Sequence, residues 1–143
     1  MSKILIILSV IVMSAMPSSL TALTEPNPAV YQEGLSPKSY AYMVLGESQG
    51  ELLSNIIQKE SGWCSTKWNR QTDCPEFPRE HKMPRGTSAY GLCQTMLSLH
   101  GDGLVPDFKT NPYAQVDWCI AYAYERYGSL DKAWQFWQRN KHW

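Results

Sequence analysis

The chain has 143 residues, with 13 basic side chains balanced by 13 acidic ones for a formal net charge of zero. A neutral chain without a basic stripe lacks the electrostatic footprint that nucleic acid demands, so nucleic acid is not an expected partner. Six Trp and eight Tyr suit a domain that stacks flat rings on a ligand such as a sugar, or a small core filled with large side chains.

Residues 1–22 read as an export signal. Lys3 gives the positive start, Ile4 to Met13 is apolar apart from Ser9, and small and turn-forming residues follow over Ser14 to Ser19. About ten apolar residues are too few for a membrane-spanning helix, which needs about 20. Cleavage is expected after Ala22, with cleavage after Ala15 or an uncleaved anchor as alternatives, and no later segment is apolar enough to cross a membrane. The expected location is therefore outside the cytoplasm: periplasmic, extracellular or virion-associated. The remaining chain, Leu23 to Trp143, has the size of one small domain and about one net negative charge once Lys3 is lost.

Residues 23–48 form a lead-in with Pro26, Pro28 and Pro37 and a short helix over Ser39–Leu45; the domain proper is expected over 49–143. Its first helix runs Gln49–Ser61. Cys64–Thr87 is a long polar loop punctuated by Pro75, Pro78, Pro84 and Gly86, with room for a small hairpin at most. Ser88–Ser98 is expected to be a third helix, and residues 100–111, with Gly101, Gly103 and Pro106, return to loop. Asn111 caps a fourth helix with Pro112 at its first position and Val116, Cys119, Ile120, Ala123 and Tyr127 on its buried face. Gly128 ends it, and Ser129 caps a fifth helix to about Arg139. The fold class is mainly α.

Four cysteines in a small exported domain predict two disulfides. Cys64, Cys74, Cys93 and Cys119 lack the close pairs of a zinc site, so neither a metal nor another cofactor is expected. Of three possible pairings, Cys64–Cys74 closes a local loop and Cys93–Cys119 ties two helices together. Each bridge is worth roughly 2–4 kcal/mol to a domain whose core is limited. His81, His100 and His142 have no ligand spacing and read as surface residues.

Glu60 is the candidate acid. Leu53, Ile56 and Ile57 recur on one helical face and Glu60 is the next position on that stripe. Desolvation raises a carboxyl pKa, and the negative end of the helix dipole pushes the same way. Gly62 suits a left-handed cap just beyond it. Such a Glu can hold its proton near neutral pH, as glycosidic cleavage requires. The same pattern also fits a helix-end Glu whose carboxylate reaches water, as most helical Glu residues do.

Three further stretches, in order, narrow the reading. Ile57-Gln58-Lys59-Glu60-Ser61-Gly62-Trp63 is followed by Ala89-Tyr90-Gly91-Leu92-Cys93-Gln94 and then by Asn111-Pro112-Tyr113-Ala114-Gln115-Val116. Tyr122, Arg126-Tyr127-Gly128-Ser129 and Ala133-Trp134-Gln135-Phe136-Trp137-Gln138-Arg139-Asn140 come after them. Together they resemble the lytic transglycosylase domain of the soluble type, in the subset found in phage and actinobacterial cell-wall proteins. The resemblance covers about residues 50–143.

The resemblance implies a lysozyme-like helical fold with a substrate cleft, monomeric, that cleaves the β-1,4 bond between N-acetylmuramic acid and N-acetylglucosamine in peptidoglycan glycan strands. It casts Glu60 as the single general acid and base, which protonates the leaving oxygen and then takes a proton from the muramic C6 hydroxyl. That hydroxyl closes a 1,6-anhydro ring. Ser61 matches a serine that orients the glutamate or the substrate. Gln94, in the cleft motif that also holds Tyr90, and Tyr122, matching a tyrosine that faces the glutamate, are the other implied substrate-binding residues; Gln115 matches a helix-start polar residue. Trp134 and Trp137 share a face of the last helix, which the resemblance places against the Glu60 helix, with Trp137 expected to support the cleft and Trp134 to pack the core.

The chain departs from that family at Cys93 inside the cleft motif, at Cys119, in the longer charged loop over 64–87, and in its Asn140-Lys141-His142-Trp143 ending. Two other functions stay open. One is a muramidase of the same fold in which Asp73 or Glu76 activates water, about 6.5–9.5 Å from Glu60 if it inverts. The other is a non-catalytic wall-binding or virion component that keeps the cleft. The sequence is equally consistent with a phage lysin and a cell's own remodelling enzyme.

Overall fold

The computed structural model describes residues 34–79 and 88–143; the expected export signal, the first part of the lead-in and the residues around His81 lie outside that range. Helix α1 spans Pro37–Glu60, capped by the Ser36 hydroxyl on the Ser39 N–H, with Pro37 in its first turn. At Gly46 the backbone turns to φ 75°, ψ 170°, which breaks α1 into the two helices expected from the sequence. Only glycine takes that conformation without a steric penalty. The first half begins at Pro37, two residues before the expected start, because proline's fixed φ and missing N–H suit an initial turn.

The expected third helix over Ser88–Ser98 is not one. Strands β1, Ala89–Tyr90, and β2, Thr95–Met96, pair antiparallel with Ala89 opposite Met96, and a single helical turn, α2, Leu97–His100, follows. Gly91 and Gln94 both have positive φ, 78° and 49°, and two left-handed residues three positions apart cannot belong to one α-helix. The only strand signal expected was a hairpin within the loop after Cys64. Instead that loop lends an edge to this hairpin: Trp68 bridges Tyr90, the Asn69 N–H donates to the Ala89 carbonyl, and the Gly91 N–H to the Lys67 carbonyl.

Helix α3, Pro112–Tyr127, starts as expected, with the Asn111 side chain accepting from the Tyr113 and Ala114 N–H groups, and ends at Gly128. Helix α4, Leu130–Asn140, is capped by Ser129. On α3 Val116, Cys119 and Ala123 are buried as the spacing requires, whereas Ile120 and Tyr127 are half-buried. Helices α1, α3 and α4 pack on one another around Leu53, Ile56, Ile57, Val116, Leu130 and Ala133. A smaller core of Trp68, Tyr90 and Phe108 lies beneath the hairpin.

Both expected disulfides form. Cys64–Cys74 closes the loop after α1, and Cys93–Cys119 joins the hairpin turn to α3. The second therefore ties a helix to a turn rather than two helices. Among the described residues no helix is long and apolar enough to cross a membrane.

Candidate active site

Glu60 is the last residue of α1 and is half-buried. Helical spacing puts it over Ile56 and Ile57, both fully buried, so its carboxyl stands at the edge of the core. Burial pushes its pKa above the ordinary carboxylate value. Two neighbours oppose that push: the Trp137 indole N–H, which donates to Oε1 at 2.6 Å, and the positive potential of His142. Beyond it the chain leaves the helix at Ser61 and turns through Gly62 in the left-handed region.

Ser61 does not face outward. Its side chain is buried and its hydroxyl donates to the Leu92 carbonyl at 2.7 Å, so it joins the end of α1 to the hairpin turn. Tyr90 is likewise spent. It is fully buried against Trp68, its hydroxyl donates to the Lys109 carbonyl at 2.8 Å, and burial pushes its pKa up to about 12. The expectation that Tyr90 touches a substrate gives way to a core role, because no part of the side chain reaches the surface. Gln94 occupies the turn itself. Its Nε2 donates to the Gly91 and Lys67 carbonyls, and the residue is only half-buried.

Tyr122 and Glu60 are not partners in any observed contact. Tyr122 stacks on Trp118 at 4.8 Å, sets its ring against Trp143 at 5.5 Å, and accepts a hydrogen bond from Arg126 at 2.6 Å. The charge of Glu60 acts on Tyr127. Burial raises the Tyr127 pKa, Arg126 opposes the rise, and Tyr122 and Glu60 add to it. The Tyr127 side chain is half-buried beside the Arg126 guanidinium, and its ring lies edge-on to Tyr122 at 6.3 Å. Tyr122 thus stands one ring further out, where it lines a half-open groove of about 510 Å³ with His100, Gly103, Trp118, Glu125 and Arg126.

The C-terminal residues fold back over this region. The Trp143 indole N–H donates to the Cys93 carbonyl at 3.1 Å, and His142, exposed as expected, is nevertheless close enough to act on Glu60. Trp137 and Trp134 stack on each other at 5.7 Å and both pack against the main core, but Trp137 alone reaches Glu60. Asp73 pairs with Arg79 at 2.9 Å across two exposed side chains, Glu76 is exposed, and neither is among the groups that shift Glu60. Among the described residues no three His, Cys, Asp or Glu side chains gather as a metal site would need.

Sequence reasoning passed over Tyr127, His142, Trp143 and Trp118 as parts of this region. The signal for Tyr127 was available, since it occupies the last turn of α3 five residues after Tyr122. His142 and Trp143 had none, because their placement depends on where α4 ends. Comparison with family models, with curated proteins and with solved structures returns no match. The functional reading therefore rests on these residues and their geometry.

Proposed function

We propose that this protein is an exported lytic transglycosylase that cleaves peptidoglycan between N-acetylmuramic acid and N-acetylglucosamine, within a lysozyme-like helical domain. The observation that carries the reading is Glu60: a carboxyl at a helix end, raised in pKa by burial, with a hydrogen-bond donor fixed on one oxygen. A general acid must hold its proton near the working pH, and desolvation supplies that property. The Trp137 N–H favours the ionised form, so the same group can leave its proton and afterwards act as the base.

The mechanism follows from one carboxyl in two states. Protonated Glu60 gives its proton to the glycosidic oxygen as the C1–O bond breaks. The resulting carboxylate withdraws the proton of the muramic C6 hydroxyl, whose oxygen bonds to C1 and forms the 1,6-anhydro sugar. Glu60 ends protonated and no water is consumed. The half-buried rings of Trp118 and Tyr122, which line the groove, give sugar rings a surface to stack on.

A hydrolytic muramidase is the second reading, and it needs a further carboxylate to activate water. Its candidates are Asp73, inside the loop closed by Cys64–Cys74, and Glu76, two residues beyond it; both are exposed, and Asp73 is already paired with Arg79. That pairing favours the lyase. Mass spectrometry of purified peptidoglycan digested by the protein separates the readings. Anhydro-muropeptides are the expected products; reducing muropeptides would make the protein a hydrolase, and intact glycan would make it a binding component.

A further inference from the structure

Gln115 is a polar side chain at the centre of the fold, 1% exposed, with its amide oxygen and both amide protons directed at backbone. Oε1 accepts from the Leu92 N–H at 2.9 Å, while Nε2 donates to the Ser65 carbonyl at 3.0 Å and the Phe108 carbonyl at 2.9 Å. One residue of α3 thereby fastens three segments: the hairpin turn, the stretch that follows Glu60, and the loop before α3. Leu92 is held from its other side too, since its carbonyl accepts from Ser61, the neighbour of Glu60.

Gly91 makes this possible. A Cβ there would lie 2.4 Å from Gln115 Oε1, and the residue has φ +78°. Only a glycine lets the amide come so near and adopts that backbone cheaply. An apolar side chain would fill the same space, so volume alone does not explain a glutamine. Three converging hydrogen bonds define where the turn sits relative to the end of α1.

We propose that Gln115 is a positioning residue for Glu60, acting through Leu92 and Ser61 without touching substrate. The proposal rests on the activity proposed for Glu60. Without the Gln115 amide, the Leu92 N–H and the Ser65 and Phe108 carbonyls lose their partner, and buried unpaired groups are costly enough to move a turn. The turn then draws away from Ser61, the end of α1 loosens, and water reaches Glu60.

Gln115→Met keeps the shape and removes the hydrogen bonds. The variant is expected to stay folded by circular dichroism, with kcat on peptidoglycan down on the order of 10²-fold and KM little changed, as for a misplaced catalytic group. Carbon-13 NMR titration of the Glu60 carboxyl should show its pKa fall toward the ordinary carboxylate value. Gly91→Ala, which displaces the amide without removing it, should do the same and serves if Gln115→Met does not fold. Wild-type kcat with an unmoved Glu60 titration in a folded variant overturns the proposal. Failure of both variants to fold also overturns it, since Gln115 would then hold the fold as a whole. If the wild-type protein cleaves no peptidoglycan, the proposed activity fails, and the Glu60 titration alone still decides whether Gln115 positions it.

Discussion

Two corners of the molecule hold a half-buried carboxyl, and they look alike at first. Glu60 accepts from the Trp137 N–H at 2.6 Å; Asp117, on α3, accepts from the Tyr40 hydroxyl at 2.9 Å. Burial is the leading cause that raises both pKa values, and in each case the aromatic donor pulls the value partly back. The surroundings differ. Asp117 lies mid-helix, and its donor Tyr40 is buried in the main core with its ring edge-on to Tyr113. Glu60 stands at a helix end, where its charge acts on Tyr127 and the exposed His142 acts on it. A raised pKa thus records burial, and what makes one carboxyl a candidate catalyst is its place at an edge of the core.

The widest separation between the two corners should come from replacing each acid by its amide. Glu60→Gln is expected to lower peptidoglycan cleavage by about 10²–10⁴-fold or more, because one group serves both proton transfers. Asp117→Asn should leave cleavage unchanged, since the amide oxygen can still accept from Tyr40. Release of muropeptides by both variants, alongside circular dichroism, checks this. Retained cleavage by folded Glu60→Gln would move the catalytic acid elsewhere.

Removing the Cys93–Cys119 bridge should divide the corners in a second way. The double serine variant is expected to lose about 2–4 kcal/mol of stability in denaturant unfolding. Because Cys93 belongs to the turn that Ser61 and Trp143 grip, the Glu60 titration should move while that of Asp117 stays. Equal movement at both acids would show that the bridge acts on the whole fold.

The donors offer a finer cut. Trp137→Phe deletes a hydrogen bond to a charged acceptor, a loss worth about 1.5–3 kcal/mol. The ionised carboxylate gains most from that bond, so Glu60 should titrate at higher pH in the variant and the alkaline limb of kcat should shift upward. Tyr40→Phe should raise Asp117 in the same sense without touching the kcat profile.

The smallest effect concerns stability against pH. Both acids titrate higher in the folded protein than their ordinary values. The folded state therefore keeps protons that the unfolded chain has released, and the sign is fixed: stability is lost as pH rises from the ordinary carboxylate range through the folded value. The melting temperature of Glu60→Gln should match wild type at low pH and exceed it increasingly as pH rises from the ordinary carboxylate range through the folded pKa of Glu60, with the difference level above that. A difference that does not vary with pH would argue against a raised pKa.

Much of the helical frame was legible in the sequence because its signals are local. Pro112 and Asn111 start α3, Ser129 starts α4, and the stripe Leu53–Ile56–Ile57 names the buried face of α1 and carries Glu60 to its end. The hairpin at Ala89–Met96 was not legible. Its apolar spacing also fits a helix, and the left-handed turn through Gln94 is held by the Gly91 and Lys67 carbonyls, the latter belonging to a distant loop. Glu60 was visible as a candidate; its partners were not. Which indole reaches it depends on how α4 lies against α1, and that its charge acts on Tyr127 depends on the rotation of α3. Short-range sterics and capping wrote the elements into the chain, whereas the surroundings of Glu60 come from residues about 80 positions away that only packing brings together.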